Sequence, residues 1–536
     1  MNQAIQLKVN DRKLFQNLRH AFSAASVLGE LMQNARRAGA TRVEILFEGI
    51  TLSVLDDGKG IDNLQDLLTA ADSGWDQETT AQESPFGLGF LSTLYCSKQI
   101  EVYTRKAGDD IGTGFIATTE ELLNGGKAYP VIKEMPVGTQ VTLKDFTLPG
   151  DGEGRRVDSN QVLNIVKQYA SGFPIAVGFN GVAMACPNAI DSSYVETAIG
   201  HVKLDLNCRR FHQVFLQGLP IYRCGLRVDD AATIVHLNNT FMAKLPDRTE
   251  LTDQNVGARR IEAALKALAR EMLESLKSSM TPEVFLFDHA KHCKDWGCTE
   301  LLNDIDLVPG EWFMDWTNEQ PGHRREWESP ETLSGYFRRK ELEREGVFAM
   351  PDEEDMLARS WLAAKRAYTV LRRQQNMMLN DEHWLQKIMV EMSDDEIEVQ
   401  ITGETLTQDI SAGTEASLVI ADTVSLLHEA GKVPLPVDAA YDAQNGTLYM
   451  SRKADPGAHS RLVSDFYWDD QYHEGEEDEF NDEVRRAFNE LTSESALQLM
   501  KLKLAELKCS RETRLANTRF TVVFDEKGAL QDILEA

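Results

Sequence analysis

Apolar residues recur at helical spacing through residues 14–38 (LFQNLRHAFSAASVLGELMQNARRA), where Leu28, Leu31 and Ala35 share one side and Gly39 supplies the stop. Period-two alternation follows. Residues 42–47 and 52–55 read as strands, with Glu48-Gly49 as the turn between them. DDGKGI (56–61) is a tight loop, and 62–85 is polar, rich in Asp, Gln, Ser and Thr. FGLGF (86–90) opens a small-residue helix, and strands are predicted at 99–104 and 138–143. A Gly- and charge-rich stretch, 149–156, precedes a helix (NQVLNIVKQYAS) and an apolar strand (FPIAVGF). Helices and strands mix without a regular βαβ beat, which predicts an α+β sandwich rather than a doubly wound sheet.

The pattern changes between about 195 and 285. Three strand-like runs, GHVKLDL, HQVFLQGLPI and ATIVHLN, lead through KLPDRTEL to a long helix over 257–277, giving a second α+β unit. Residues 286–345 are rich in Trp and charge with weak periodicity. A helix is predicted at 353–379, then strands at IEVQIT and ASLVIAD, a helix over 484–508 and a last strand, RFTVVFD. Residues 469–483 hold nine acids and no Lys or Arg, and read as a solvated acidic loop. The domains expected are therefore 1–190, 191–285 and a C-terminal α/β region, 286–536.

Composition narrows the class. At about 150 residues per domain, 536 residues give three to four domains, and 42% hydrophobic with 26% charged residues is material for several packed cores. This excludes a disordered chain, a coiled coil and a small disulfide scaffold. The net charge of −29 repels a phosphate backbone at long range, which argues against a broad nucleic-acid wrapper and leaves room for one local basic patch. MNQAIQLKVN has no signal-peptide pattern, and no apolar stretch approaches the roughly 18 to 20 residues of a membrane span. Seven scattered cysteines, an odd number, read as reduced thiols. A soluble, acidic, cytoplasmic protein is expected, with no membrane partner.

Four pieces carry chemistry. Glu30 and Asn34, spaced i, i+4, share a helix face; the carboxylate can orient a water, and the amide oxygen can complete a Mg²⁺ shell. Asp56 begins Asp-Asp-Gly-Lys-Gly, where a carboxylate at a strand end can accept a hydrogen bond from an exocyclic amine while Gly58 and Gly60 let backbone approach a flat ring. Gly87, Leu88, Gly89 and Phe90 enter a helix whose N-terminal amides can meet phosphates. Gly138-Thr139 opens a strand.

In this order and at these gaps, the pieces resemble the GHKL (Bergerat-fold) ATPases, whose N-box E-x-x-x-N is followed by D-x-G-x-G, a mobile lid, G-x-G-F and a late G-T. FGLGFLSTLYCSKQIEVYTR, GTQVTLKDF and IVKQYASGFPIAV follow the ninety-kilodalton heat-shock chaperone branch. The resemblance covers about 20–185 strongly and 195–280 more faintly. It implies a Bergerat sandwich followed by a ribosomal-S5-like transducer domain, with ATP and Mg²⁺ as cofactors. Glu30 would be the general base, and Asn34 would hold Mg²⁺ and phosphate oxygens. Asp56 would bind the adenine amine, with Gly60 on the ring and Thr139 in support. Gly87, Leu88 and Gly89 would cradle the phosphates, and 62–85 would be the lid. In KLPDRTEL, Arg248, with Lys244 in reserve, would reach the γ-phosphate. The output implied is chaperone-like remodelling of a protein client by a homodimer.

Two departures stand out. Arg37 occupies the position where the family has Asp, and Ser84-Pro85 replaces a lid-hinge glycine, stiffening it. The rival readings are a MutL- or topoisomerase-like clamp acting on DNA, a sensor histidine kinase, which would need a phosphoacceptor helix upstream of Glu30, and a degenerate scaffold that no longer hydrolyses. His289, His292, Cys293 and Cys298 could bind zinc but fit no standard spacing and read as structural groups. DQYHEGEEDE faintly resembles the metal-binding endonuclease motif of MutL-type repair proteins without its accompanying elements.

Overall fold

In Arg42–Glu48 (β1) the residues Val43, Ile45 and Phe47 are buried while their neighbours are more open, and Thr51–Asp56 (β2) repeats the pattern with Leu52 and Val54. This alternation makes one sheet face a core and leaves the strand ends for function. The computed structural model describes residues 24–69, 89–148, 155–208, 212–224, 233–244, 250–317, 331–371, 379–506 and 515–535. They divide into two compact units, Met1–Leu276 with Asp295–Gly297, and Lys277–Lys294 with Cys298–Ala536.

The first unit is α+β, as expected. Its main sheet joins β1 and β2 to Gln99–Arg105 (β3), Gly112–Thr118 (β4), Tyr129–Lys133 (β5), Gly138–Lys144 (β6), Ala176–Phe179 (β7) and Val182–Ala183 (β8). The order is β8-β7-β1-β2-β6-β3-β4-β5. All neighbours are antiparallel except β1 and β7. Helix Ala24–Arg37 (α1) lays Val27, Leu28, Leu31, Met32 and Ala35 on the sheet, and helix Ser159–Ala170 (α2) adds Val162, Val166 and Tyr169 to the same core. An Asp158–Gln161 capping box fixes the start of α2. The residues before Ala24 in the expected 14–38 helix lie outside those described.

A second, five-stranded sheet follows: Val195–Thr197 (β9), Gly200–Lys203 (β10), His212–Leu216 (β11), Leu219–Cys224 (β12) and Thr233–Leu237 (β13), in the order β9-β10-β13-β11-β12. HQVFLQGLPI is thus a hairpin, not one strand. Gln217 (φ 53°) and Gly218 (φ 83°) both sit in the left-handed region, the signature of a two-residue type I′ turn. The hairpin packs on α1 and on the segment just after α2: a side chain at Gly218 would strike Pro174, one at Gly172 would strike Phe215, and Leu219 reaches Gly29 of α1.

In the second unit, the described part of the segment expected as a helix over 353–379 is helical from Met356 to Lys365, and residues 372–378 lie outside those described. Arg366 turns left-handed (φ 52°), Ala367 caps back to Leu362, and the β-prone Tyr-Thr-Val of Tyr368–Val370 pairs in parallel with Val347–Ala349. The acidic stretch is likewise not all loop. From Glu474 it is helix, Glu474–Thr492, whose first-turn acids complement the macrodipole and whose Phe480, Val484, Ala487 and Phe488 are core. No helix among the described residues is long and apolar enough to cross a membrane.

Candidate functional site

Helix α1 presents two unlike faces. Opposite the core, Glu30, Asn34 and Arg37 follow one another at i, i+4 and i+7. Glu30 is only 7% exposed, so this is no solvated helix face. Its carboxylate lies against Gly89: a Cβ built on Gly89 would fall onto Glu30 Oε2. Close approach, not turn geometry, is what demands glycine there. Gly89 caps a single 3₁₀ stretch, Phe90–Tyr95, rather than the α-helix the sequence suggested. Six residues of 3₁₀ carry a weak macrodipole, so the chemistry this corner can offer is that of individual backbone N–H groups rather than an axial field. Ser92 Oγ (2.5 Å) and its amide both donate to the Gly89 carbonyl, pinning the corner, and Phe90 is buried beneath it. Gly87 and Leu88 lie outside the described residues.

Asp56 ends β2 opposite Thr139 of β6. Its Oδ1 accepts the Gly58 amide at 2.9 Å. Burial pushes its carboxyl up to about 6, partly offset by the Gly58 and Thr139 backbone hydrogen bonds, with Asp57 adding a further push upward. Gly138 (φ 130°) lets β6 pass so close to the Asp56 carbonyl that any side chain would collide with it. Gly60 backs onto the Arg105 carbonyl, and the next amide, Ile61, donates to Thr104 Oγ1 at 2.9 Å. Thr104 in turn meets Gly138 O (3.3 Å) and Thr139 Oγ1 (3.4 Å). The loop is moored at both ends: Lys59 N donates to Ala38 O of the α1 terminus (2.9 Å), and Asp57 accepts from Thr41 N, Thr41 Oγ1 and Arg42 N. Asp57 is therefore structural.

Sequence reasoning missed two participants, Thr104 and Gln33, and one contact, that of Arg37 with Asn34. Thr104 gave no signal beyond being a polar residue on a buried strand. Gln33, 1% exposed, reaches the Gln217 carbonyl at 2.7 Å, and only the Gln-Gly turn could have pointed there. Arg37 was noticed as a departure, but its partner was not: Nη1 donates to Asn34 Oδ1 at 3.3 Å. That bears on magnesium. Asn34 is the N-box oxygen ligand expected for the ion, and its oxygen already accepts from a cation. In this arrangement the residues present do not fit a divalent metal at Asn34.

Lys244 is exposed and pairs with Glu250 (3.5 Å), while Arg248 lies outside the described residues. Nothing brings the zinc candidates together as a site. His289 and His292 approach through Nδ1 (3.1 Å), and burial pushes the Cys293 thiol up to about 12, away from the thiolate a metal needs. Among the described residues no group of three or more His, Cys, Asp or Glu is placed to hold a metal ion. In the acidic helix, Glu483 accepts from the Ser411 and Ala412 amides (2.9 and 2.7 Å), a fastening role.

Residues 22–134 match the family model described as histidine kinase-, DNA gyrase B-, and HSP90-like ATPase. The DNA mismatch repair protein MutL of Mesorhizobium japonicum is 29% identical over 163 residues, 28% of this chain and 25% of that protein. The chaperone protein HtpG of Halorhodospira halophila is 30% identical over 151 residues, 25% of this chain and 23% of that protein. The chain thus spans about a quarter of the length of these curated relatives. A solved structure, the Aquifex aeolicus MutL ATPase domain complexed with ADP, matches at 19% identity over 37% of this chain and 82% of that one, with a TM-score of 0.25.

Proposed function

Taking residues 22–134 as a domain of the histidine kinase-, DNA gyrase B-, and HSP90-like ATPase type, we propose that this chain binds ATP along the Glu30 face of α1, between the Gly89 corner and the Asp56 loop, and hydrolyses it slowly as a conformational switch. The observation that carries the reading is a buried acid, Glu30, against the Gly89 backbone, together with a half-buried carboxylate, Asp56, held by Gly58 beside the Thr104–Thr139 pair. Asp56 accepts a hydrogen bond from the adenine amino group, Gly60 lies along the ring and Thr139 supports the same contact. Glu30 orients and deprotonates the attacking water. The amides at Gly89 and its two predecessors meet phosphate oxygens, and residues 62–85 act as the lid. Arg248, or Lys244 once released from Glu250, stabilises the γ-phosphate. No step is assigned to magnesium.

The output we favour is remodelling of a protein client by a homodimer, in line with the HtpG relative. The MutL relative supports a DNA-transaction clamp at almost equal identity, and the net charge of −29 weighs against it. Calorimetric titration with ATP tests the pocket: wild type and Glu30→Ala should both bind, and only wild type should turn over. Duplex-DNA binding that falls steeply with salt would favour the clamp instead.

A further inference from the structure

Arg37 stands where the nucleotide reading calls for a cation. Glu30, Asn34 and Arg37 rise from one face of α1, and Arg37 Nη1 donates to Asn34 Oδ1 at 3.3 Å while Nη2 is buried. The next residue, Ala38, is fastened to the Asp56 loop: its carbonyl accepts the Lys59 amide, and its Cβ is the first atom a side chain at Gly58 would meet. The helix end is thus fastened to the Asp56 loop by Ala38, while the Arg37 guanidinium turns back over Asn34, toward the Glu30 end of the same face.

A hard divalent ion needs oxygen ligands away from other positive charge. A guanidinium donating to the Asn34 oxygen takes one of its lone pairs and repels a second cation. The same fork binds phosphate directly and stays charged at every accessible pH. A basic residue in the last turn of a helix also complements the macrodipole. That role alone would change stability and leave metal dependence untouched.

We propose that Arg37 supplies the positive charge beside the nucleotide's phosphates in place of magnesium, so that this chain binds ATP without needing a divalent metal. The proposal rests on the nucleotide reading above. Its test is calorimetric titration of the full chain with the β,γ-imido analogue of ATP, in EDTA and in magnesium. The wild-type Kd should differ by less than about threefold between the two buffers. Arg37→Ala should bind about tenfold or more weakly in EDTA and recover in magnesium once Asn34 is released. Arg37→Lys, which keeps the charge and loses the fork, should fall between them. A wild-type Kd that tightens about tenfold or more with magnesium, or Arg37→Ala matching wild type in EDTA, overturns the proposal and leaves the pocket standing. Wild type binding in neither buffer overturns the pocket itself, and the proposal with it.

Discussion

Gln33 Nε2 donates to the backbone carbonyl of Gln217 at 2.7 Å, joining α1 to the β11–β12 turn across 184 positions of sequence. The other end of the amide is also satisfied, since Arg36 Nε donates to Gln33 Oε1 at 2.9 Å. The helix that carries Glu30 is therefore tied directly to the second sheet.

Gln33→Leu keeps the volume and removes the tie, leaving the Gln217 carbonyl without this donor. We expect a stability loss of about 1–3 kcal/mol by chemical denaturation. Turnover should fall more than nucleotide affinity, because Gln33 faces the second sheet while Asp56 is untouched. Unchanged stability and turnover would reduce the contact to an accident of packing.

Glu30→Ala should retain nucleotide and lose hydrolysis by roughly 10²- to 10⁴-fold, the worth of a positioned general base. Gly89→Ala should mimic it without touching an acid, since the new methyl group displaces the Glu30 carboxylate. Phosphate-release assays on both variants check this, and normal turnover in Gly89→Ala would show that the contact with Glu30 is not needed in the active state.

Asp56→Asn should abolish adenine-nucleotide binding by calorimetry. It also carries a stability signature of defined sign. The Asp56 carboxyl is raised from 3.8 to about 6, so the contribution it makes is fully present below about pH 4 and lost as pH rises through about 6. The gap corresponds to roughly 3 kcal/mol against the ionised folded form at neutral pH, and Asn keeps the Oδ1 that accepts from Gly58. Ligand-free Asp56→Asn should therefore melt higher relative to wild type at pH 7.5 than at pH 4.5. An advantage that grew toward acid would contradict the burial that raises the group.

Arg366→Gly, in the second unit, should raise stability by about 0.5–1 kcal/mol, because a left-handed residue (φ 52°) closes the helix Met356–Lys365 there. Thermal unfolding measures it.

Much of the first unit was legible in the chain itself. Alternation in 42–47 and 52–55 located β1 and β2 to within one residue of each end, and the i, i+4 spacing brought Glu30 and Asn34 to one face. Local periodicity carries that kind of information. What it could not carry was tertiary: that the Glu30 face is buried and that Gln33 reaches the Gln217 carbonyl; the Arg37–Asn34 contact and the Gln217-Gly218 turn are local, but alternation and helical spacing do not encode them. The long helix expected at 353–379 failed for a related reason. Helix-forming residues continue past Lys365 in composition, but pairing of Tyr368–Val370 with Val347–Ala349 outbids propensity.

Helix α1 gives its inner side to the sheet and its outer side to Glu30, Asn34 and Arg37, while Gln33 holds the hairpin. A substitution deep in the interior, such as Met32→Ala, would rotate or loosen all of these groups together. Screens for inactive variants should accordingly yield interior aliphatic positions of this one segment as often as the polar residues themselves, and a lesion far from any phosphate would be scored as a dead enzyme.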